Sequence, residues 1–345
     1  MSIILAILVF GFLIFIHELG HFVAAKLSGI TVYSFSIGFG PAILKKQVGD
    51  TLYAIRILPF GGAVEMKGEI AEDGTEMEDT EGSFLHAPVL NRMFVSVAGA
   101  FMNFLTGVII LLIILAPVKE IPTAEISALE PEFEFNSPEY FQVGDRITRV
   151  DDFHVYTYND LLTGLMLNSD GTFDFTIERD GQKIKLDDVK LEKKTFNDET
   201  TPRYGFSFTI KQASFTDRIK YAFENSASFV QSVYVGLKYI ITGQVQTGDM
   251  MGAVGITNEI SSRAERSMAD MWYFVAFLSI NLAVVNMLPF FALDGGKFVF
   301  LLWELLTKKP VKPIYEAYLN AFGMVLLFGL FIFVTFNDVL RLIRG

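Results

Sequence analysis

Four stretches of the chain are apolar enough, and long enough, to cross about 30 Å of hydrocarbon. They run from Met1 to Ile16 with a continuation through Ala25, from Met93 to Val118, from Met271 to Leu293, and from Ala317 to Asn337. Inside a bilayer the backbone finds no water to bond, so segments of this kind must be helices. The chain is therefore expected to be a polytopic α-helical membrane protein with four transmembrane helices. Composition agrees: of 345 residues, 51% are hydrophobic and 34 are Phe, and the mean hydropathy is +0.40. The first span lacks a positive leading region and a small-residue cleavage site, so it is expected to stay in the mature protein.

That first span meets its first charge at Glu18, inside the run HELGH (His17 to His21). Two imidazoles four residues apart share one helix face, where both can reach a single metal, and Glu18 beside them can handle a proton. Ionisable groups at membrane depth are costly unless paired or wet, so their presence suggests a function. Short motifs also arise by chance, but two of the four histidines in the chain are spent here. With no cysteine there is no disulfide framework and no thiolate site, so any metal must use His, Asp or Glu. A net charge of −11 and the lack of a basic stripe argue against nucleic acid as a partner.

After the first span (1–27), residues 30–66 change to β-branched and aromatic runs, TVYSFSIGFG and LYAIRILPFGG, bounded by Gly and Pro. They read as a small membrane-associated β-sheet. Residues 67–92 hold an acidic run, a solvated linker, leading to the interface and the second span (93–118). In that span Gly99 and Asn103 lie four apart, a spacing that suits close helix packing, with the amide free to bond a neighbouring helix or a site residue. Charge returns over 121–211, where short strands surround one helix and Asp180-Gly181 closes a hairpin, a pattern that resembles a PDZ domain inserted as an α+β unit. His86 and His154 read as structural residues. Residues 214–243 form an amphipathic helix polar enough to lie on the membrane surface. The third span, taken as 271–296, contains Asn281, Asn286, a helix-breaking Pro289, and then Leu293-Asp294-Gly295-Gly296. Asp294 either turns back toward the bundle or faces water; the residues alone leave both open. The fourth span (317–341) shows no chemical feature.

HELGH, GAFMN, a PDZ-like domain and NMLPFFALDGG follow one another here in that order. In this the chain resembles, over essentially its full length, the site-2 protease family of intramembrane zinc metalloproteases, and in particular the bacterial branch that activates sigma factors. The resemblance implies that His17, His21 and Asp294 bind Zn2+ and that Glu18 is the catalytic acid/base. It implies that Asn281, Asn286 and Pro289 help hold an unwound substrate helix, and that the 30–66 sheet offers that helix an edge; Asn103 is counted beside them as a substrate-binding candidate. Substrates would be single-pass membrane proteins already trimmed by another protease, such as anti-sigma factors or remnant signal peptides. Four positions depart from the family pattern: Ala100, Ala253, Phe291 and Lys297.

Charge sets the expected orientation in a bacterial inner membrane. Lys26, Lys45, Lys46, Arg56, Lys67 and Arg92 follow the first span, and Lys297, Lys308, Lys309 and Lys312 follow the third, so both loops are expected in the cytoplasm. The PDZ-like domain is then extracytoplasmic and HELGH lies toward the cytoplasmic side. Arg341 and Arg344 go against the rule. The competing reading is an idle PDZ-containing membrane binding protein with a structural metal, which would have no use for Glu18. A metal transporter is disfavoured by the absence of internal repeats.

Overall fold

The computed structural model describes residues 2–68, 80–131, 133–168, 170–194, 204–243 and 251–344; most of the acidic run expected as a linker lies outside them. In chain order the elements are α1 (Ser2–Leu27), β1 (Val32–Val48), β2 (Thr51–Met66), α2 (Val89–Leu115), β3 (Glu120–Leu129), β4 (Arg146–Val150), β5 (Phe153–His154) and α3 (Tyr158–Leu167). There follow β6 (Thr172–Arg179), β7 (Gln182–Lys190), β8 (Phe206–Gln212), α4 (Phe215–Thr242), α5 (Ala253–Arg266), α6 (Met268–Asn286), α7 (Asp294–Thr307) and α8 (Pro313–Arg344). They form two compact units, one from Met1–Ile110 with Ser232–Gly345, the other from Leu111–Gln231.

In the first unit four helices are long and apolar enough to cross a membrane: Ile3–Leu27, Val89–Leu115, Met268–Asn286 and Ile314–Asp338. The second of these begins at Val89 and not Met93, and it stops at Leu115, short of Pro117. The third needs a larger correction. The span taken as 271–296 ends at Asn286, and Asp294 opens a separate helix, α7. Pro289 explains the break, since it lacks an N–H and pushes the residue before it out of the helical region. A further helix, α5, lies just before the third span, where no element is expected from the sequence. Its start is fastened to α8: the Gly255 N–H donates to Asp338 Oδ2 at 2.9 Å.

Strands β1 and β2 form more than a simple hairpin. Residues 34–37 pair with 52–55 on one side and with 62–65 on the other, while Leu44–Val48 pair with Thr51–Ile55. The segment 34–37 is thus interior to the sheet and 62–66 is an outer edge. Phe35 anchors this sheet on α1, with its ring 6.0 Å from that of Phe15 and 5.1 Å from that of Phe22. Ile30, Val32, Met66, Phe84 and Val95 extend the same core toward α2.

The second unit holds an antiparallel sheet in the order β7-β6-β4-β3-β8, with β5 added to β4, so β8 is an edge strand. Its core is Ile126, Phe141, Ile147, Leu161, Phe173, Phe175 and Ile177, the last three on alternate positions of β6 as a half-buried strand requires. Asp180 and Gly181 sit at φ +51° and +76°, the two positive values of a tight hairpin turn. Thr157 and Asp160 cap the start of α3 reciprocally. Helix α4 is bound here through Ser228 to Asp160 (2.5 Å), Gln231 to the His154 carbonyl (2.9 Å) and Arg146 to Glu224 (3.3 Å). Phe215 and Phe223 on the same helix stay exposed.

One buried ion pair dominates this unit. Arg179 donates twice to Asp145, at 2.7 Å each, and also to the carbonyls of Pro138 and Tyr140; Asp145 itself is 1% exposed. Removing one partner of such a pair leaves a buried charge, at a cost of about 3–5 kcal/mol. Arg179→Met is therefore expected to lower the opening free energy of the β4 and β6 amides by about that amount, read by hydrogen exchange on the full chain. Unchanged protection would show that the pair holds nothing.

Candidate metal centre

At 3.6 residues per turn His17 and His21 share one face of α1, with ring centroids 4.8 Å apart. His21 Nδ1 lies 2.8 Å from the Val95 carbonyl. A carbonyl can only accept, so Nδ1 carries a proton, and in the neutral ring Nε2 then presents a lone pair. That lone pair faces His17 Nε2, 3.1 Å away. Asp294 closes the figure, its Oδ2 3.2 Å from His17 Nε2 and 3.3 Å from His21 Nε2. This oxygen is buried and has no hydrogen-bond partner.

Three electron-rich atoms at these separations repel one another unless a cation lies among them. Ligands on a tetrahedral zinc, with bonds of about 2.0–2.1 Å, sit about 3.3–3.4 Å apart. The donor set and its spacing fit. Among the described residues this is the one group of His, Cys, Asp or Glu side chains gathered closely enough to hold an ion. Of the two placements that the sequence left open for Asp294, the structure has the inward one, with the side chain 22% exposed. His154 belongs to the second unit, where its backbone is bonded to Gln231.

Several elements place the three candidate ligands. Helices α1 and α2 cross backbone to backbone at Gly20, where a Cβ would overlap the Ala98 carbonyl, and a Cβ on Gly99 would overlap His21 Nε2 and come within 2.8 Å of His17 Cε1. On the other side, β2 passes so close that a Cβ on Gly62 would lie 2.6 Å from Glu18 Cγ. Asp294 is set by α7, which is tied to α2 at both ends. Ser96 Oγ donates to the Asp294 carbonyl at 3.0 Å, and Arg92 makes a two-pronged bond to Glu304 at 2.6 and 3.0 Å. The loop before α7 is held from α8: Ala292, at φ +73°, donates its N–H to Asn320 Oδ1 at 3.2 Å.

The expected substrate residues separate. Asn103 is 1% exposed and its Nδ2 lies 3.5 Å from His17 Nδ1, so it meets a site residue, as its place in the span allowed, and is buried away from any substrate. Asn281 lies within α6 with its Oδ1 buried and without a hydrogen-bond partner, Asn286 closes that helix, and Pro289 is exposed in the turn after it. Of the departures, Lys297 Nζ sits 4.3 Å from the Phe84 ring centroid, Phe291 stacks on Phe300, Ala100 is buried, and Ala253 begins α5. Sequence reasoning missed Ser96, Glu304 and Asn320. Glu304 left a usable signal: it is the one carboxylate between Asp294 and Thr307, and Arg92 at the edge of an apolar helix needs an anion. Asn320 was one polar residue in a span taken to be featureless.

The model of peptidase family M50 matches residues 5–330. A protein of Clostridium perfringens named as an inferred zinc metalloprotease is 35% identical over 345 residues, covering 99% of each chain. A similarly named protein of Clostridium acetobutylicum is 32% identical over 344 residues, covering 98% of this chain and 97% of its own. The regulator of sigma-W protease RasP of Bacillus subtilis is 26% identical over 418 residues, covering 99% of each.

Because Gly99 leaves no room for a methyl group, Gly99→Ala is expected to displace both imidazoles. Zinc affinity, measured by competition with a chromophoric chelator, should fall by at least about tenfold. Affinity equal to wild type would mean that the triangle is not the metal site.

Proposed function

The chain belongs to peptidase family M50, the site-2 proteases, and from that premise we propose that it is a zinc-dependent intramembrane endopeptidase. Its ligands are His17, His21 and Asp294, and its acid/base is Glu18. Its substrates are transmembrane segments of single-pass membrane proteins, such as anti-sigma factors or remnant signal peptides. The observation that carries this reading is the triangle of His17 Nε2, His21 Nε2 and Asp294 Oδ2 formed on an apolar, membrane-length helix that also bears Glu18.

A zinc ion bound there supplies Lewis acidity, polarising a scissile carbonyl and lowering the pKa of a water to about 7. Glu18 takes the proton of the attacking water on its carboxylate and returns it to the leaving amine. A transmembrane helix keeps its amides bonded internally, so it must unwind before attack, and its freed groups need partners. The outer edge at 62–66 answers that need: it passes Glu18 at Gly62, and an extended substrate can add to it as a further strand. Asn281 within α6, Asn286 at its end and Pro289 beyond it flank the same substrate.

The second unit is read as the PDZ-like domain. Strand β8 gives it a sheet edge suited to extended peptide, and its role is to exclude untrimmed ectodomains. In a bacterial inner membrane the lysine distribution puts this unit outside and the metal centre toward the cytoplasm. The exposed Phe215 and Phe223 of α4 supply an apolar face for the membrane surface.

Glu18→Gln, zinc-loaded, is expected to bind metal as wild type does and to lose cleavage of a membrane-anchored substrate by about 10²- to 10⁴-fold. Wild-type cleavage by that variant would end this assignment. Orientation is tested with Glu192→Cys, since the chain has no cysteine and Glu192 is exposed. A membrane-impermeant maleimide should label it in intact cells; protection until lysis would reverse the topology.

A further inference from the structure

We propose that Asn103 is the positioning residue of His17, accepting the His17 Nδ1 proton through Oδ1 and so holding the ring with Nε2 toward the metal. The inference rests on the zinc reading above.

It begins from a mismatch. His17 Nε2 points at His21 Nε2 and Asp294 Oδ2, so as a ligand it must be unprotonated, and the ring proton then sits on Nδ1. The group facing that proton is Asn103 Nδ2, 3.5 Å away. Donor faces donor. The other end of the same amide, Oδ1, is buried and has no hydrogen-bond partner. Two faults in one side chain have one remedy. Turning the amide by 180° exchanges two atoms of nearly equal size, changes no volume, brings oxygen to His17 Nδ1–H and removes the orphan.

The rest of the residue is already fixed. Ser279 Oγ donates to the Asn103 backbone carbonyl at 2.7 Å, tying this turn of α2 to α6. Gly107, one turn on, lies so close to α6 that a Cβ would come 2.5 Å from Ile280 Cγ1. At 1% exposure the amide is not available to a substrate. Each imidazole then has an oxygen behind it: the Val95 carbonyl for His21 and the Asn103 amide for His17. Such partners set the tautomer and orientation of a metal-binding His, and their loss typically weakens metal binding about 10- to 100-fold.

The test compares full-length wild type, Asn103→Leu and Asn103→Asp in detergent, by zinc competition with a chelator and by thermal melting of the metal-free forms. Leu removes the acceptor at similar volume and is expected to weaken zinc about 10- to 100-fold. Asp keeps an oxygen acceptor and is expected to restore affinity to within a few fold. The metal-free melting temperature of Asn103→Leu should not fall, which separates positioning from simple packing. Should the Leu variant not fold, Asn103→Ala removes the same acceptor. Zinc binding by the acceptor-free variant equal to wild type, or equally weak binding by Asn103→Asp, overturns the proposal. Wild-type protein that binds no zinc overturns the zinc reading itself, and this proposal with it.

Discussion

Holding two imidazole lone pairs and a carboxylate oxygen within 3.3 Å of one another, inside a largely apolar unit, is the constraint on which the first unit depends. Such atoms separate if left to themselves. Their convergence needs backbones that cannot yield, and the contacts around the site are of that kind. At Gly20 the helices meet with no side chain between them, and at Gly99 both imidazoles lie directly on the α2 backbone, so α2 forms a wall against both histidines. Asp294 arrives on the first turn of a separate helix, and a helix start fixes a side chain more closely than a loop does.

The same requirement explains where the charge in this apolar unit has gone. Arg92 would be expensive beside a membrane span if it stood alone, but its guanidinium meets Glu304 in a two-pronged bond and also donates to the Ala87 carbonyl. Asp338 accepts from Gly255 at the start of α5, where an anion suits the helix dipole. Asn320, on α8, supports the positive φ of Ala292 two residues before Asp294. Arg92 and Asp338 each tie one helix to another, and Asn320 ties α8 to the loop before α7. Arg92 therefore carries two meanings, since it is also one of the positive charges from which the orientation is expected.

The sequence showed some of this arrangement and concealed the rest for physical reasons. The four spans were legible because hydrocarbon leaves the backbone few options, and the helical period alone placed His17 beside His21. Asp294 was ambiguous because a broken helix after Pro289 allows either direction. What settles it is the bond from Ser96 to the Asp294 carbonyl and the Arg92–Glu304 pair, contacts between residues about 200 positions apart in the chain. The doubling of β1 and β2 was hidden because two long strands fold back at glycines and irregular registers that no periodicity records. Asn103 was visible as a polar residue in a span, but its direction depends on which face of α2 meets α1. Helices α5 and α7 were overlooked because short amphipathic segments beside a membrane span look like connections.

The doubled sheet has a further consequence. A plain two-stranded hairpin would offer either edge to a partner equally. Here 34–37 is paired on both sides, so the strand beside Glu18 is 62–66, with its inner side used and its outer side a natural template for one more strand. Gly62 is the point where that strand touches Glu18, and any side chain there would force the two apart. In the reaction proposed above, strand addition and proton transfer would both fall at this one place. A bond presented at that edge is extended, relieved of its helical hydrogen bonds and close to the carboxylate, and the same amide still inside a helix satisfies none of these conditions. The selectivity expected of such a site therefore lies as much in how easily a transmembrane helix unwinds as in which side chains it carries.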